Sequence, residues 1–471
     1  MRKSIVRIHN ILIQNFKNVE SGSISLACSK RADQSSADIL GLYGQNGSGK
    51  TTLIEALSIL KTVLSGQSIP SDYANYITVG QGYAYMSYLF EIRAGAEIFE
   101  AKYSFNLAKR ETNAQSNIEK GADDELYHVA IENEELSISG NISGRKIKWQ
   151  TLMDTSSPLV PFKPSTKYTE LAGSSKETRQ QLMVNRYMTN EGAQSFIFSR
   201  KTLQTIKGSC EIPEYMTIID ALVQFGNFGL FVIDTKSAGL INLNAALPFF
   251  FRLDTERSLS IGKVAIKLEE PSVIPRQVCE GVQRAISNMN TVLEQIIPGL
   301  NVRLKELGVA LLRDGQEGCS VELVSVRGGK TLPLRYESEG IKKIISILQL
   351  LIVMYNNEGV TVAIDELDAG IFEYLLGELL KIIAESGRGQ LIFTSHNLRP
   401  LETIDKKYIF FSTNNPQNRY IQLESVQANN NLRYFYYRDL TLGGQKEELY
   451  DRTNNYEIAL SLREIGEFYS G

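Results

Sequence analysis

The sequence predicts an α/β fold in which a mixed β-sheet surrounds a phosphate-binding loop and an antiparallel β lobe lies beside it. Three observations indicate this architecture. A glycine-rich turn at 44–49 follows a short apolar strand and opens an amphipathic helix. A second apolar strand, at 360–364, ends in two acids far along the chain. We expect the insertion between these two motifs to be mainly helical. It should contain no long coiled coil, because its residues show no sustained heptad repeat.

Hydrophobic periodicity places the individual elements. Alternating residues predict strands at 5–15 and 83–105, while the strand 39–43 and the helix 50–64 flank the glycine-rich turn. Three prolines mark 156–165 as a linker, after which the chain looks mainly helical as far as about residue 235. The later elements are predicted as helices at 276–297, 338–356 and 371–386 and strands at 301–312, 320–326, 360–364 and 390–394.

These elements divide the chain into four segments. Residues 1–110 form the N-terminal half of the core with the phosphate-binding loop, and 111–300 form the insertion. Residues 301–415 form the C-terminal half of the core, and 416–471 form a tail suited to an interface. The core is therefore predicted to assemble from opposite ends of the chain.

Composition narrows the class of protein. Hydrophobic residues make up 43% and charged residues 22% of 471 residues, with a formal net charge of -3, so no overall positive field favours nucleic acid or an anionic membrane. The four cysteines are far apart, and there are only three histidines, which argues against a disulfide framework or a Cys/His metal site. Neither a signal peptide nor a membrane span is evident, so we expect a cytoplasmic protein.

The strongest motif is a complete G-x-x-x-x-G-K-T between a predicted strand and a predicted helix. Glycines let the backbone approach phosphate closely, and successive N–H groups form an anion-binding nest. Lys50 is expected to contact the β- and γ-phosphates of a nucleoside triphosphate, and the Thr51 hydroxyl to ligate Mg²⁺. The phosphate-binding residues are predicted to be Gly44, Gln45, Asn46, Gly47, Ser48, Gly49, Lys50, Thr51 and Thr52.

The apolar strand at 360–364 ends in Asp365 and Glu366. In that position Asp365 suits a ligand of Mg²⁺, and Glu366 suits the base that orients an attacking water. A strand that ends in exposed carboxylates is common by itself. Combined with the phosphate-binding loop, the acid pair predicts hydrolysis of the triphosphate.

Four further residues are weaker candidates on their own. Asp368 could be a helix cap, and Ser338 with Gly340 could be a simple capped helix start. His396 follows a strand about thirty residues beyond the acid pair, at the edge where open α/β sheets bind ligands. Their order around the two main motifs favours roles in binding phosphate.

These motifs resemble the ABC ATPase superfamily, and within it the SMC-like and OLD-like branch. The resemblance implies an ATPase head with ATP and Mg²⁺ as cofactors, in which Ser338 and Gly340 form the signature that acts on ATP bound to a second subunit. It also implies that Asp368 is the D-loop acid and His396 the switch histidine. The glutamine that contacts nucleotide in this superfamily is assigned to Gln194, with Gln81 as the alternative.

The chain differs from those relatives by lacking long coiled-coil arms. It also lacks the Toprim nuclease domain of OLD proteins, because the aspartates after His396, namely Asp405, Asp439 and Asp451, are isolated. In this it resembles the ATPases of PARIS anti-phage defence systems. That resemblance implies a homo-oligomer joined head to head around ATP, a separate Toprim-type nuclease effector and a phage protein as trigger.

Two other functional classes of ATPase are also compatible with the sequence. A DNA-engaged ATPase of the SMC-like or OLD-like kind would bind DNA in a salt-dependent way. A transporter-associated ATPase has less support, since such subunits carry a signature closer to LSGGQ than residues 337–340 do. In the tail, aromatics flanked by arginines at 433–439 suit a subunit interface better than base stacking.

Overall fold

The computed structural model describes residues 4–26, 37–111, 127–234, 245–255, 258–312, 315–423, 431–443, 445–451 and 453–470. The strands are β1 (Ile5–Phe16), β2 (Val19–Ser25), β3 (Asp38–Tyr43), β4 (Tyr83–Ala94), β5 (Glu97–Glu111), β6 (Tyr127–Ile142), β7 (Arg145–Asp154), β8 (Leu230–Ile233), β9 (Ala246–Thr255), β10 (Ser258–Lys267), β11 (Ser272–Pro275), β12 (Leu300–Leu311), β13 (Glu317–Arg327), β14 (Lys330–Pro333), β15 (Thr361–Ile364), β16 (Gln390–Thr394), β17 (Ile409–Ser412) and β18 (Tyr420–Ile421). The helices are α1 (Lys50–Leu64), α2 (Ser165–Ala172), α3 (Lys176–Glu191), α4 (Arg200–Lys207), α5 (Pro213–Gln224), α6 (Arg276–Ile296), α7 (Glu339–Asn356), α8 (Glu373–Ser386), α9 (Pro400–Thr403), α10 (Leu432–Leu442) and α11 (Asn455–Ser470).

A six-stranded sheet forms the centre of the protein, in the order β18-β17-β3-β16-β15-β8. All its pairings are parallel except that of β17 with the edge strand β18. Every residue of β3, β15 and β16 is buried, as expected for parallel strands covered on both faces. Because parallel strands end at the same edge, the turns after β3, β15 and β16 lie together.

The second large sheet is the predicted antiparallel lobe, in the order β2-β1-β4-β5-β6-β7. Its inner face shares one hydrophobic core with α1, whose buried face includes Leu53, Leu57 and Leu60. The predicted α/β class, mixed central sheet and antiparallel lobe are therefore confirmed. The helix predicted at 50–64 has the same bounds in the structure.

The predicted segment boundary at residue 110 falls inside this lobe. Glu111 at the end of β5 pairs with Tyr127 at the start of β6, so the sheet continues into the 111–300 segment. That segment also supplies β8 to the edge of the central sheet, next to β15. The sequence pattern near residue 110 does not indicate this, because strand order depends on contacts between residues distant in sequence.

The helical part of the insertion is α2 to α5, between the linker and β8. Residues 276–297 were predicted as one helix from apolar residues at spacings of three and four, and α6 ends one residue earlier. Val282, Ile286, Met289 and Leu293 on that stripe are buried in a second core, which α7 also joins. Since α6 has 21 residues, the part of the chain that the structure describes contains no coiled-coil arm. Within the same residues, no helix has the length and hydropathy to cross a membrane.

A buried carboxylate joins the lobe to the helical insertion. Glu134 on β6 is 2% exposed and accepts hydrogen bonds from Phe196 N and Ile197 N, both at 3.0 Å, and from Ser195 Oγ at 3.2 Å. Burial raises the pKa of Glu134 to about 7, although these donors act in the opposite direction. The group therefore ties the 195–197 turn to the sheet and favours the protonated form in the folded chain.

This network predicts a pH-dependent loss of stability in Glu134→Gln. The amide replaces one acceptor oxygen with a donor, so a buried N–H loses its partner at a cost of about 1–3 kcal/mol. Because the folded-state pKa lies above the ordinary 4.5, the contribution of Glu134 to wild-type stability is greatest below pH 4.5 and is lost as pH rises through about 7. The penalty in Glu134→Gln is thus expected to be larger at pH 5 than at pH 8 in thermal unfolding. Glu111→Gln, at the exposed end of β5, is the matched control, and a penalty independent of pH would contradict the assignment.

Candidate functional site

The glycine-rich turn joins the end of β3 to the start of α1. Gly49 adopts φ 89°, and a Cβ there would lie 2.9 Å from a Val19 methyl group, so only glycine fits without strain. Ser48 Oγ donates to the carbonyl of Gln45 at 2.6 Å and closes the turn on itself. The backbone N–H groups at the start of α1 and the positive end of its dipole together make an anion-binding position.

Lys50 lies at the first position of α1 and is 7% exposed. Its Nζ donates to the carbonyl oxygens of Gly44 at 2.8 Å and Gln45 at 2.9 Å, so the ammonium is held across the mouth of the turn. Burial lowers the pKa of Lys50, although the carboxylates of Asp365, Glu366 and Asp368 act in the opposite direction. The structure therefore brings Lys50 close to the acid segment after β15.

The two acids after β15 are fixed by a residue of the neighbouring strand. Thr394 Oγ1, at the end of β16, donates to Asp365 Oδ1 at 2.6 Å and accepts from Glu366 N at 2.8 Å. Asp365 is 2% exposed, whereas Glu366 follows with φ 48°, in the left-handed region that non-glycine residues rarely adopt. One hydroxyl thus orients a buried carboxylate and the strained residue beside it. Sequence reasoning missed Thr394, because its contact depends on strand order.

Asp368 links the acid segment to the turn that carries His396. Asp368 Oδ2 accepts from His396 N at 3.1 Å and from Asn397 N at 2.9 Å. The His396 imidazole keeps contact with solvent, while partial burial and the positive charge of Lys50 lower its pKa below the ordinary value. A neutral imidazole near Lys50 could accept or donate a hydrogen bond at a phosphate.

Ser338 is the N-cap of α7, and its Oγ accepts from Ile341 N at 3.4 Å. Gly340, in the first turn, touches the acid segment directly, since a Cβ there would lie 2.2 Å from the carbonyl oxygen of Gly370. Gly370 itself adopts φ 74°. The signature candidates and the turn after Asp368 therefore pack as one unit, and Gly340 cannot be replaced without displacing it.

Residues near both ends of the chain also form hydrogen bonds at the glycine-rich turn. Asn18, between β1 and β2, donates from Nδ2 to the carbonyl of Gly47 and accepts from Thr52 Oγ1 at 3.4 Å. Tyr420 on β18 donates from its hydroxyl to the carbonyl of Gly49 at 2.7 Å. Arg419, 6% exposed, donates to the carbonyl of Asn18.

The tail also reaches this turn. Asp451 N donates to Gln45 Oε1 at 3.0 Å, and Asp451 Oδ1 accepts from Asn414 Nδ2 at 2.7 Å. Asp451 therefore has a structural place beside the loop. The aromatic segment predicted at 433–439 lies on α10, where Tyr436 is buried against Phe411 with ring centroids 4.8 Å apart.

Neither glutamine proposed to contact nucleotide is brought to the turn by the bonds of the described residues. Gln194 Nε2 donates to Ser68 Oγ at 3.0 Å, beyond the C-terminal end of α1. A helix of 15 residues is about 22 Å long, so Gln194 lies at the far end of α1 from Lys50. Gln81 N donates to the carbonyl of Thr78, in the connection before β4. The sequence does not show which end of α1 Gln194 approaches, because that depends on how the insertion folds.

The donor set suits a divalent cation that is shared with phosphate. Thr51 offers a hydroxyl and Asp365 a carboxylate, both hard oxygen ligands that Mg²⁺ prefers. Among the described residues there is no group of three or more Asp, Glu, His and Cys that could hold a metal alone. Mg²⁺ typically takes one or two protein ligands and completes its shell with water and phosphate oxygens, so the residues present fit this ion.

Three solved structures are similar to the chain at low sequence identity. Among solved structures, the head of Smc bound to the C-terminal winged-helix domain of ScpA aligns with 13% identity, 89% coverage of this chain, 98% of that chain and a TM-score of 0.41. The SMC head domain from Thermotoga maritima aligns with 13% identity, coverages of 89% and 99% and a TM-score of 0.38. RecF bound to an ATP analogue aligns with 14% identity, coverages of 87% and 96% and a TM-score of 0.36.

No curated protein sequence matches the chain. A family profile described as "AAA domain, putative AbiEii toxin, Type IV TA system" matches residues 39–402, from β3 to α9. That range includes the glycine-rich turn, the acids after β15, Ser338, Gly340 and His396, but neither Asn18 nor the contacts of Arg419, Tyr420 and Asp451. The match covers well over half of the chain. The chain therefore belongs to this family of AAA-domain proteins, whose description names a putative AbiEii toxin.

Proposed function

We propose that this protein binds and hydrolyses ATP with Mg²⁺, and that it acts as a homo-oligomeric sensor and scaffold for a separate nuclease in anti-phage defence. The observation that supports the first part best is the position of Lys50 beside Asp365 and Glu366. A phosphate-binding turn and an acid pair, from opposite ends of the chain, meet at one edge of the central sheet. That is the arrangement that metal-assisted transfer of a phosphoryl group to water requires.

In this proposal each residue has a defined role. Lys50 exchanges its bonds with the loop carbonyls for the β- and γ-phosphates, and the loop N–H groups of 44–52 hold the remaining phosphate oxygens. Thr51 and Asp365 hold Mg²⁺, which neutralises developing charge when bound. Glu366 accepts the proton of the attacking water, and His396 contacts the γ-phosphate.

The oligomer follows from the position of the signature candidates. Ser338 is exposed at the start of α7, so its hydroxyl and the N-terminal dipole of the helix are available to a phosphate from outside the chain. We place ATP between the turn of one chain and Ser338–Gly340 of a second, with the acid at Asp368 beside that contact. Hydrolysis would then loosen the interface and change the surface shown to a partner.

The defence role is supported by the family and by the resemblance stated above. The family description names a putative toxin of a type IV toxin–antitoxin system. The order of the motifs and the absence of coiled-coil arms from the described residues also resemble AriA, the ATPase of the PARIS system. By that resemblance the partner is a Toprim-type nuclease that a phage protein releases.

Glu366→Gln is expected to trap ATP. The amide cannot accept a proton, so turnover falls by about 10²-fold or more, while ATP binding persists. The trapped nucleotide should also stabilise the dimer, which light scattering after size exclusion with Mg²⁺ and ATP detects. Glu385→Gln, at an exposed position of α8, is the matched control. Hydrolysis by Glu366→Gln at the wild-type rate would show that another group is the base.

The shared ATP site is tested by mixing two inactive variants. Lys50→Ala removes the ammonium that contacts phosphate, and Ser338→Arg blocks the signature side, so each homodimer is expected to be inactive. In a mixed dimer one of the two sites combines an intact turn with an intact signature. The mixture should therefore recover up to about half of wild-type activity per mixed dimer, measured as phosphate release. No recovery in a mixture shown to contain mixed dimers would exclude a site shared between chains.

The scaffold role is tested by identifying what co-purifies with the full chain. We expect the product of a neighbouring open reading frame that carries a glutamate and a D-x-D carboxylate set, identified by mass spectrometry. The complex should persist with Glu366→Gln and dissociate when the trigger is co-expressed. Purification of the chain alone, with hydrolysis stimulated by DNA in a salt-dependent way, would instead support the DNA-engaged alternative.

A further inference from the structure

One buried lysine has no role in the mechanism above. Lys343 lies on α7, is 1% exposed, and its Nζ has no hydrogen-bond partner within the part of the chain that the structure describes. Burying an ammonium without a partner is costly, and an apolar side chain of similar size would avoid that cost. An unsatisfied buried charge of this kind calls for a functional explanation.

The charges that act on Lys343 are those of the acidic residues that follow β15. The carboxylates of Glu366, Asp365 and Asp368 favour its charged form, but burial has the larger effect and lowers its pKa overall. The same carboxylates act on Lys50 at the start of α1. Asp368 Oδ1 is also buried without a hydrogen-bond partner among the described residues. Two lysines, one from each of two helices, therefore interact with one group of acids.

The two lysines belong to different halves of the proposed ATP site. Lys50 belongs to the turn that holds phosphate in its own chain. Lys343 lies about one turn of helix after Gly340, whose backbone touches the carbonyl of Gly370 at the end of the acid segment. Any displacement of the start of α7 therefore moves both the Lys343 charge and the backbone contact relative to Asp365 and Glu366.

We propose that Lys343 is a positioning residue that holds the carboxylates of the 365–368 segment in place and couples the signature turn to them. The Lys343 charge acts on the acids through space, without a hydrogen bond among the described residues, while Ser338 and Gly340 at the other end of the same turn meet the second chain of the proposed dimer. Docking of that chain thereby sets the geometry of Mg²⁺ binding and of the base. This inference rests on the proposed function, since it concerns the same site.

The neighbouring residue Lys342 provides a matched comparison. It is 2% exposed on the same helix, but its Nζ donates to the carbonyl of Arg335 at 3.2 Å, so its burial is explained by a structural bond. The two lysines thus share helix, burial and side-chain length. They differ in that the ammonium of Lys342 has a hydrogen-bond partner, whereas that of Lys343 has none among the described residues.

The test compares Lys343→Met with Lys342→Met in the full chain. Lys343→Met should lower kcat by about tenfold or more, with KM and the affinity for a fluorescent ATP analogue changed by less than about threefold. Its melting temperature should be equal to or above that of wild type, because an unpartnered buried charge is removed. Lys342→Met should keep kcat within about threefold of wild type and lose thermal stability. Lys343→Arg, which keeps the charge, should restore part of the lost kcat.

Three results would overturn the inference. Lys343→Met with wild-type kcat would show that the charge does not position the acids. A loss of kcat accompanied by a loss of stability as large as in Lys342→Met would show a structural role only. A wild-type chain that neither binds nor hydrolyses ATP would overturn the proposed function itself, and that result is recognised before any variant is compared.

Discussion

The parallel pairing of β16 with β3 on one side and β15 on the other is the constraint on which the site depends. Because these strands are parallel, the strand before the turn at Gly44 and the strand before Asp365 end at the same edge of the sheet. Thr394, at the end of the strand between them, donates to Asp365 and accepts from Glu366 N. Without β16 between β3 and β15, the two motifs would not lie at one edge of the sheet.

Around that edge the fold concentrates charge and removes water. Lys50 and Asp365 are both buried, and Glu366 is held in a strained backbone conformation between Asp365 and the turn at 367–370. Electrostatic interactions are stronger in such surroundings than in water, so small displacements of these groups change their energies substantially. This explains why contacts such as Gly340 against Gly370 matter for chemistry as well as for packing.

The chain ends enclose the same turn. Asn18 and Tyr420 bind the carbonyls of Gly47 and Gly49, and Asp451 binds the side chain of Gln45. The lobe and the tail are therefore in contact with the phosphate-binding residues. Under the proposed function, a change in the turn on nucleotide binding would reach both surfaces, so contacts with a partner would depend on the nucleotide state.

The sequence by itself determined the local parts of this protein: the turn 44–49 with its helix, the apolar strand before Asp365, the strand 390–394 and the helix from 276. These are set by periodicity and by glycine chemistry within a few residues, so they can be read without knowing the fold. Only the tertiary structure decided which strands are neighbours, that β5 and β6 pair across residue 110, that Gln194 lies at the far end of α1, and that Lys343 is buried without a hydrogen-bond partner among the described residues. Those facts depend on contacts between distant residues, and a side chain's burial and partners exist only once such contacts have formed.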